Sequence, residues 1–165
     1  ALVTPFTDED KIDFAALDKL IERVIGGGAD YLVALGTTAE TPALSGSEKE
    51  AILRFVVERV AGRVPVIAGL GGNSTADVVS ALRSANLDGI DAVLSVTPYY
   101  NKPSQEGIYR HYRALAEASP CGVVLYNVPG RTGVNMTAQT VLRLAHDCGN
   151  IIGVKEATCR RRHTF

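Results

Sequence analysis

Lys155 carries the most chemistry in this 165-residue sequence, sitting near the end of Ile151-Ile152-Gly153-Val154-Lys155-Glu156-Ala157. Four apolar or small residues lead into it, the pattern of a strand covered on both faces. An amine drawn into such a strand gives up hydration, and burial disfavours its charged form. A lysine held partly neutral attacks carbonyl carbon, the first step of Schiff-base chemistry. The same side chain would also serve as a charged guard on an exposed edge strand, or as a stem reaching out to water. Its companions bear on the choice. Tyr126 closes the apolar run Val123–Tyr126, so its hydroxyl belongs at a strand end and needs a partner. Gly36-Thr37-Thr38 brings two hydroxyls and backbone N–H groups to one turn, a cradle for a small carboxylate. Arg131 follows Pro129-Gly130 and is suited to bidentate carboxylate binding. Tyr99-Tyr100 lies between Pro98 and Pro103, which puts phenols on a stiffened loop. Each has a plainer use: an ordinary turn, a core tyrosine, a solvated arginine, a packing or subunit contact. As a set they suit carbonyl chemistry on a keto acid. Lysine forms the imine, tyrosine moves protons, and threonine and arginine hold carboxylates. His111, His146 and His163 are scattered without metal-ligand spacing, and no carboxylate pair accompanies the set.

Such a set needs strands that deliver their ends to one edge. Short β-branched runs supply them at Leu2–Thr4, Tyr31–Leu35, Val64–Ala68, Ala92–Val96, Val123–Tyr126 and Ile151–Lys155. Helical patterns lie between, over Asp13–Ile25, Ser47–Val60, Thr75–Asn86, Gln105–Ala118 and Ala138–Asp147. The repeat is the size of one βαβ unit. Ser47-Glu48-Lys49-Glu50 and Ser74-Thr75-Ala76-Asp77 have capping-box form, and Gly26-Gly27-Gly28 supplies a helix stop. Alternation predicts an α/β fold. A doubly wound sheet and a (β/α)8 barrel both put ligands at the carboxyl ends of strands, and periodicity leaves the two open. The turn Gly69–Ser74 follows a strand and opens a helix, which echoes a phosphate-binding loop. It lacks G-x-G-x-x-G spacing and a following Walker lysine, so a tight βα turn is the expectation and nucleotide binding the alternative.

Composition narrows the classes. A formal net charge of −1 gives no electrostatic case for nucleic acid or anionic membrane. No apolar run approaches the ~20 residues that span a bilayer. The chain opens Ala1-Leu2-Val3-Thr4-Pro5-Phe6, with no basic region ahead of an apolar one, so no signal peptide is expected; without an initiator methionine, first residues of the natural protein are expected to be missing. Cys121, Cys148 and Cys159 are odd in number with no C-x-x-C pair, which predicts free thiols in a reducing cytoplasm.

Four segments carry a resemblance to a known family: Gly36-Thr37-Thr38-Ala39-Glu40, Thr97-Pro98-Tyr99-Tyr100-Asn101-Lys102-Pro103, Tyr126-Asn127-Val128-Pro129-Gly130-Arg131-Thr132 and Gly153-Val154-Lys155-Glu156-Ala157. In order and register over nearly the whole chain they resemble the dihydrodipicolinate synthases, of the pyruvate-dependent class I aldolase superfamily of (β/α)8 barrels. The resemblance implies an α/β fold that is an incomplete (β/α)8 barrel of about six strands and five helices. It implies condensation of pyruvate with L-aspartate-4-semialdehyde, through a lysine Schiff base, to 4-hydroxy-tetrahydrodipicolinate for lysine and diaminopimelate synthesis. Lys155 would bear the imine and Tyr126 act as general acid and base. Thr37 and Thr38 would hold the pyruvate carboxylate. Tyr100 would reach a neighbouring subunit's site and complete a Thr38–Tyr100–Tyr126 relay, and Arg131 would bind the semialdehyde's carboxylate. No metal or organic cofactor is implied, and the assembly would be a homotetramer of tight dimers, with no nucleic-acid or membrane partner. A 2-keto-3-deoxy sugar acid aldolase and an N-acetylneuraminate lyase-like aldolase are the alternatives on the same scaffold; Arg131 favours the synthase.

Two departures stand out. Ala39 occupies a position where the family commonly has glycine, which asks for a turn without positive φ. The end Thr158-Cys159-Arg160-Arg161-Arg162-His163-Thr164-Phe165 is unlike the family's continuation into two further βα units. The expected organisation is therefore a catalytic partial barrel over 1–158 and an atypical basic tail over 159–165. A chain of this extent is expected to leave two open parallel edges, and to be weakly active or inactive by itself.

Overall fold

The computed structural model describes residues 1–158, so the tail expected over 159–165 lies outside the described residues. The described residues form five strands and six α-helices, with one helix between successive strands except before the last, where two follow one another. The strands are β1 (Leu32–Ala34), β2 (Val66–Gly69), β3 (Ala92–Val96), β4 (Gly122–Asn127) and β5 (Ile151–Glu156). The helices are α1 (Phe14–Gly26), α2 (Gly46–Val60), α3 (Thr75–Ser84), α4 (Gln105–Ala118), the single turn α5 (Pro129–Thr132) and α6 (Ala138–Asp147). The fold is α/β, and its packing divides into two compact units.

Unit one comprises Ala1–Leu70 and Ser84–Leu94. β1 pairs in parallel with β2, and β2 with the first residues of β3. The helices bury one stripe each: Leu17 and Ile21 of α1, and Ile52, Val56 and Val60 of α2, all at four-residue spacing. They meet Leu32, Val66 and Ala68 of the strands in one core. Phe14 and Phe55 add an aromatic contact at 4.9 Å. The outward ion pairs Arg59–Asp18 and Arg63–Glu22 are solvent-exposed, so screening by water leaves them little weight in the stability of the unit.

Two expectations change here. Leu2–Thr4 forms no strand: Leu2 is buried and its N–H donates to the Val33 carbonyl, but the ladder stops there. The chain instead turns so that the Pro5 carbonyl accepts from the Asp13 N–H and Phe6 bridges Ile12 antiparallel. The second helix is capped by Ser45, not Ser47, in a reciprocal box with Glu48. Ser45 and Ser47 both stand three residues before a glutamate, and the first wins because a 3-10 turn over Thr41–Ala43 leads directly into it.

Unit two comprises Gly71–Arg83 and the described residues from Ser95 onward. α4 and α6 are capped by Ser104 and Thr137, pack on one another and bury Ile108, Tyr112, Leu115 and Leu144; α4 also lies on β4, whose Val123 and Leu125 are buried, and α6 on β5. β5 runs parallel to β4, with a register shift between Val123 and Val124: Val123 pairs with Ile151, whereas Val124 pairs with Gly153. Ile152 is thus an extra residue on β5, a bulge. β5 is far more open than its apolar sequence predicts: Ile152 is 62% and Val154 44% exposed. Among the described residues β4 is the one strand it pairs with.

Candidate active site

Every candidate residue lies at the carboxyl end of a strand or in the loop that follows. Lys155 and Tyr126 lie directly across the β4–β5 ladder. Paired residues of neighbouring strands share a face, and the Lys155 ammonium nitrogen stands over the Tyr126 ring, 4.6 Å from its centroid. Tyr126 is buried, and Lys155 is half-buried in place of the full burial expected, because β5 is open. The tyrosine's backbone is held by the residue that follows β3: its carbonyl accepts from the Thr97 N–H at 2.9 Å and from the Thr97 hydroxyl at 3.0 Å. Thr97 is fully buried and in reach of the Tyr112 hydroxyl, which donates to the Ser95 carbonyl. Burial pushes the Tyr112 phenol well above its ordinary value, against weaker lowering from its hydrogen-bonding neighbours, so it stays protonated.

Arg131 lies on α5, the turn opened by Pro129 and closed by Gly133 at φ 72°. Thr132, beside it, is buried and donates to the Val134 and Val128 carbonyls, which stiffens the turn. Tyr100 is 85% exposed, on a loop where it adopts φ 71°. Positive φ in a bulky residue is strained backbone; it is held here by Asn101, whose amide donates to the Asn73 carbonyl at 2.8 Å. The next residue but one, Lys102, also has positive φ, and its side chain lies against Gly133, so the Tyr100 and Arg131 loops abut.

Thr37 and Thr38 belong to unit one. They open a 3-10 turn over Thr37–Ala39, with both side chains exposed. The turn is fixed from outside: the Thr41 hydroxyl donates to the Leu35 and Gly36 carbonyls, and the Thr4 hydroxyl to the Ala39 carbonyl. Ala39 is buried and takes no positive φ; the left-handed residues flanking the turn are Leu35 and Glu40. A methyl is therefore tolerated where glycine was the expectation.

The glycines of the Gly69–Ser74 turn are explained by packing. A Cβ on Gly69 would collide with the backbone of Leu35, and one on Gly71 would come within 2.8 Å of the Val96 nitrogen. Close backbone approach, not a phosphate, accounts for them.

Asn127 and Glu156 are not among the candidates that the sequence pattern singles out. They follow Tyr126 and Lys155 directly and pair with each other across the ladder. The available signal was an amide at the end of an apolar strand, a group that is buried only with partners. Burial of the Glu156 carboxyl raises its pKa, but hydrogen bonds from Asn127 and Thr158 outweigh this and hold it below the usual carboxylate value. Among the described residues no group of three or more His, Cys, Asp or Glu side chains is placed to hold a metal ion.

An amine over a phenol at a strand end, with an arginine turn next along the chain, is an arrangement for imine formation and proton transfer. The profile of the Dihydrodipicolinate synthetase family matches residues 1–164. The chain belongs to that family. Among curated relatives, the family's 4-hydroxy-tetrahydrodipicolinate synthase of Parabacteroides distasonis is 58% identical over 96% of this chain and 53% of its own length. The enzyme of the same name from Bacillus subtilis is 48% identical over 96% of this chain and 54% of its own. A crystal structure of dihydrodipicolinate synthase from Acinetobacter baumannii, complexed with pyruvate, superposes with TM-score 0.91 at 46% identity, covering 96% of this chain and 54% of that one. That from Thermotoga maritima superposes with TM-score 0.92 at 43% identity, covering 96% and 53%. This family member spans about half the length of the curated relatives it matches, as fits an incomplete (β/α)8 barrel.

Proposed function

We propose that this chain carries the imine-forming part of a 4-hydroxy-tetrahydrodipicolinate synthase, which condenses pyruvate with L-aspartate-4-semialdehyde. The observation that carries the reading is the Lys155 nitrogen 4.6 Å from the centre of the buried Tyr126 ring. Kinship to enzymes of that name, at 58% and 48% identity, supports it, as does the pyruvate complex of a relative.

In this proposal the Lys155 amine adds to the keto carbon of pyruvate, and the carbinolamine loses water to give the imine. Tyr126 delivers and removes the protons. Loss of a methyl proton yields an enamine, whose carbon attacks the aldehyde of the second substrate. That substrate's own amine then displaces Lys155 by transimination and closes the ring. Thr37 and Thr38 hold the pyruvate carboxylate, and Arg131 takes the carboxylate of the semialdehyde. Lysine is itself the electron sink, so the scheme uses no metal or organic cofactor. Tyr100 serves a neighbouring copy's relay in a homotetramer, a role supported by its 85% exposure on a strained loop. The cytoplasm is the proposed location; the free thiol Cys148 supports it, and among the described residues no helix is long and apolar enough to cross a membrane.

The openness of β5 favours a second reading, in which the isolated chain is a weak or inactive piece of such a site: Ile152 and Val154 stand exposed beside a half-buried Lys155. Borohydride trapping with pyruvate separates the two. A covalent adduct on Lys155, lost in Lys155→Ala, is the expected result. No adduct in the parent chain would leave the second reading. Turnover of pyruvate with the semialdehyde, against cleavage of 2-keto-3-deoxy sugar acids, tests the substrate class.

A further inference from the structure

The face of the β4–β5 ladder opposite Tyr126 and Lys155 holds a polar cluster that the proposed chemistry does not use. Asn127 is fully buried there. Its Nδ2 lies 3.1 and 3.0 Å from the two oxygens of Glu156, 2.8 Å from Asn135 Oδ1 and 3.4 Å from the Met136 carbonyl. Its Oδ1 accepts from the Met136 N–H at 3.0 Å. An ionised carboxylate only accepts and a backbone N–H only donates, so the amide has one sensible orientation. Glu156 also accepts from the Thr158 N–H, and the Asn127 carbonyl accepts from the Ala157 N–H. One side chain thus joins β4, the strand bearing Lys155, and the far base of the loop bearing Arg131. Gln105 secures that base again by donating to the Asn135 carbonyl.

Strand register is strongly specified where one face is buried and weakly where both are open. β5 is of the second kind, with a bulge at Ile152 and exposed Ile152 and Val154. A one-residue slip would move Lys155 to the face away from Tyr126. Apolar burial does little to prevent that slip here, and the hydrogen-bonded pair does.

We propose that Asn127 and Glu156 are positioning residues for imine formation, a register pin that keeps Lys155 across from Tyr126 and closes the Arg131 loop. This rests on the function proposed above. Neither side chain touches the reacting atoms, so both act through backbone placement.

The test uses Asn127→Ala, Glu156→Ala and Glu156→Gln in this chain. The first readout is the rate of borohydride trapping on Lys155 at saturating pyruvate. Glu156→Ala and Asn127→Ala are expected to slow it by about tenfold or more, the scale of a modest misplacement of a reacting group. Glu156→Gln keeps an oxygen that accepts from Asn127 and Thr158, so it is expected to restore most of the rate. Equal rates for Glu156→Ala and the parent, or for Glu156→Gln and Glu156→Ala, would overturn the proposal. The second readout is amide hydrogen exchange at Met136 and Ala157, whose N–H groups bond to Asn127. Protection is expected to fall in Asn127→Ala, and unchanged protection would overturn the pin. A parent chain that traps no pyruvate counts against the proposed function, while the exchange measurement still decides the pin. Should Asn127→Ala fail to fold, the same exchange comparison on Glu156→Ala and Glu156→Gln decides it.

Discussion

Acidification should weaken this fold through one buried histidine. His111, on α4, is 3% exposed, with Nδ1 2.8 Å from the Thr75 hydroxyl and its ring edge-on to Tyr112 at 5.2 Å. Its Nε2 has no hydrogen-bond partner among the described residues. Burial lowers its pKa from 6.5 to about 4. The folded state therefore holds the ring neutral, while the unfolded chain protonates it near 6.5. Stability from this group is present above pH 6.5 and is lost as the pH falls towards 4. A shift of this size is worth about 3 kcal/mol in full, of which about 2 kcal/mol is lost between pH 7 and 5. That is a large share of a typical domain's stability. Urea melts at pH 7, 6 and 5 on the parent and on His111→Gln isolate the term, because carboxylate titrations are common to both and glutamine can still bond Thr75. The parent should lose about 2 kcal/mol more than the variant over that range. Parallel pH profiles would refute the reasoning, since they would mean that His111 meets water or an acceptor when protonated.

Two further outcomes test the framework around the site. Gly69→Ala should cost about 3 kcal/mol, because a Cβ there meets Leu35 backbone rather than a movable side chain; a melting temperature equal to the parent's would show that β2 and the Leu35–Gly36 turn are not so close. Ser45→Ala should cost about 1 kcal/mol by removing the capping box with Glu48, whereas Ser47→Ala should cost much less; thermal melts of the two variants side by side decide which serine is the cap.

Helix positions were legible because their signals are local. Ala138–Asp147 matches the sequence pattern residue for residue, and the helix after Ser104 begins where expected. Apolar stripes at four-residue spacing and cap side chains act within one or two turns of chain. Leu2–Thr4 has the composition of a strand, but its ladder stops at the one bond to the Val33 carbonyl, and a local pattern does not report a missing long-range partner. The apolar run Ile151–Val154 announced a buried strand, yet burial depends on what covers a strand, and two of its apolar side chains stand open here.

The sequence by itself determined that Lys155 and Tyr126 fall at strand ends and that Arg131 and the two threonines fall in the loops that follow strands, since a run of β-branched residues stops where the next residue changes type. It also determined the family, through short segments in fixed order. Only the tertiary structure decided that Tyr126 and Lys155 face one another. They are paired because Ile152 bulges out of β5 and advances its register by one residue, and because Asn127 and Glu156 bond on the opposite face. Strand pairing between distant segments is set by contacts that neither segment carries alone, so no local pattern in either one records it.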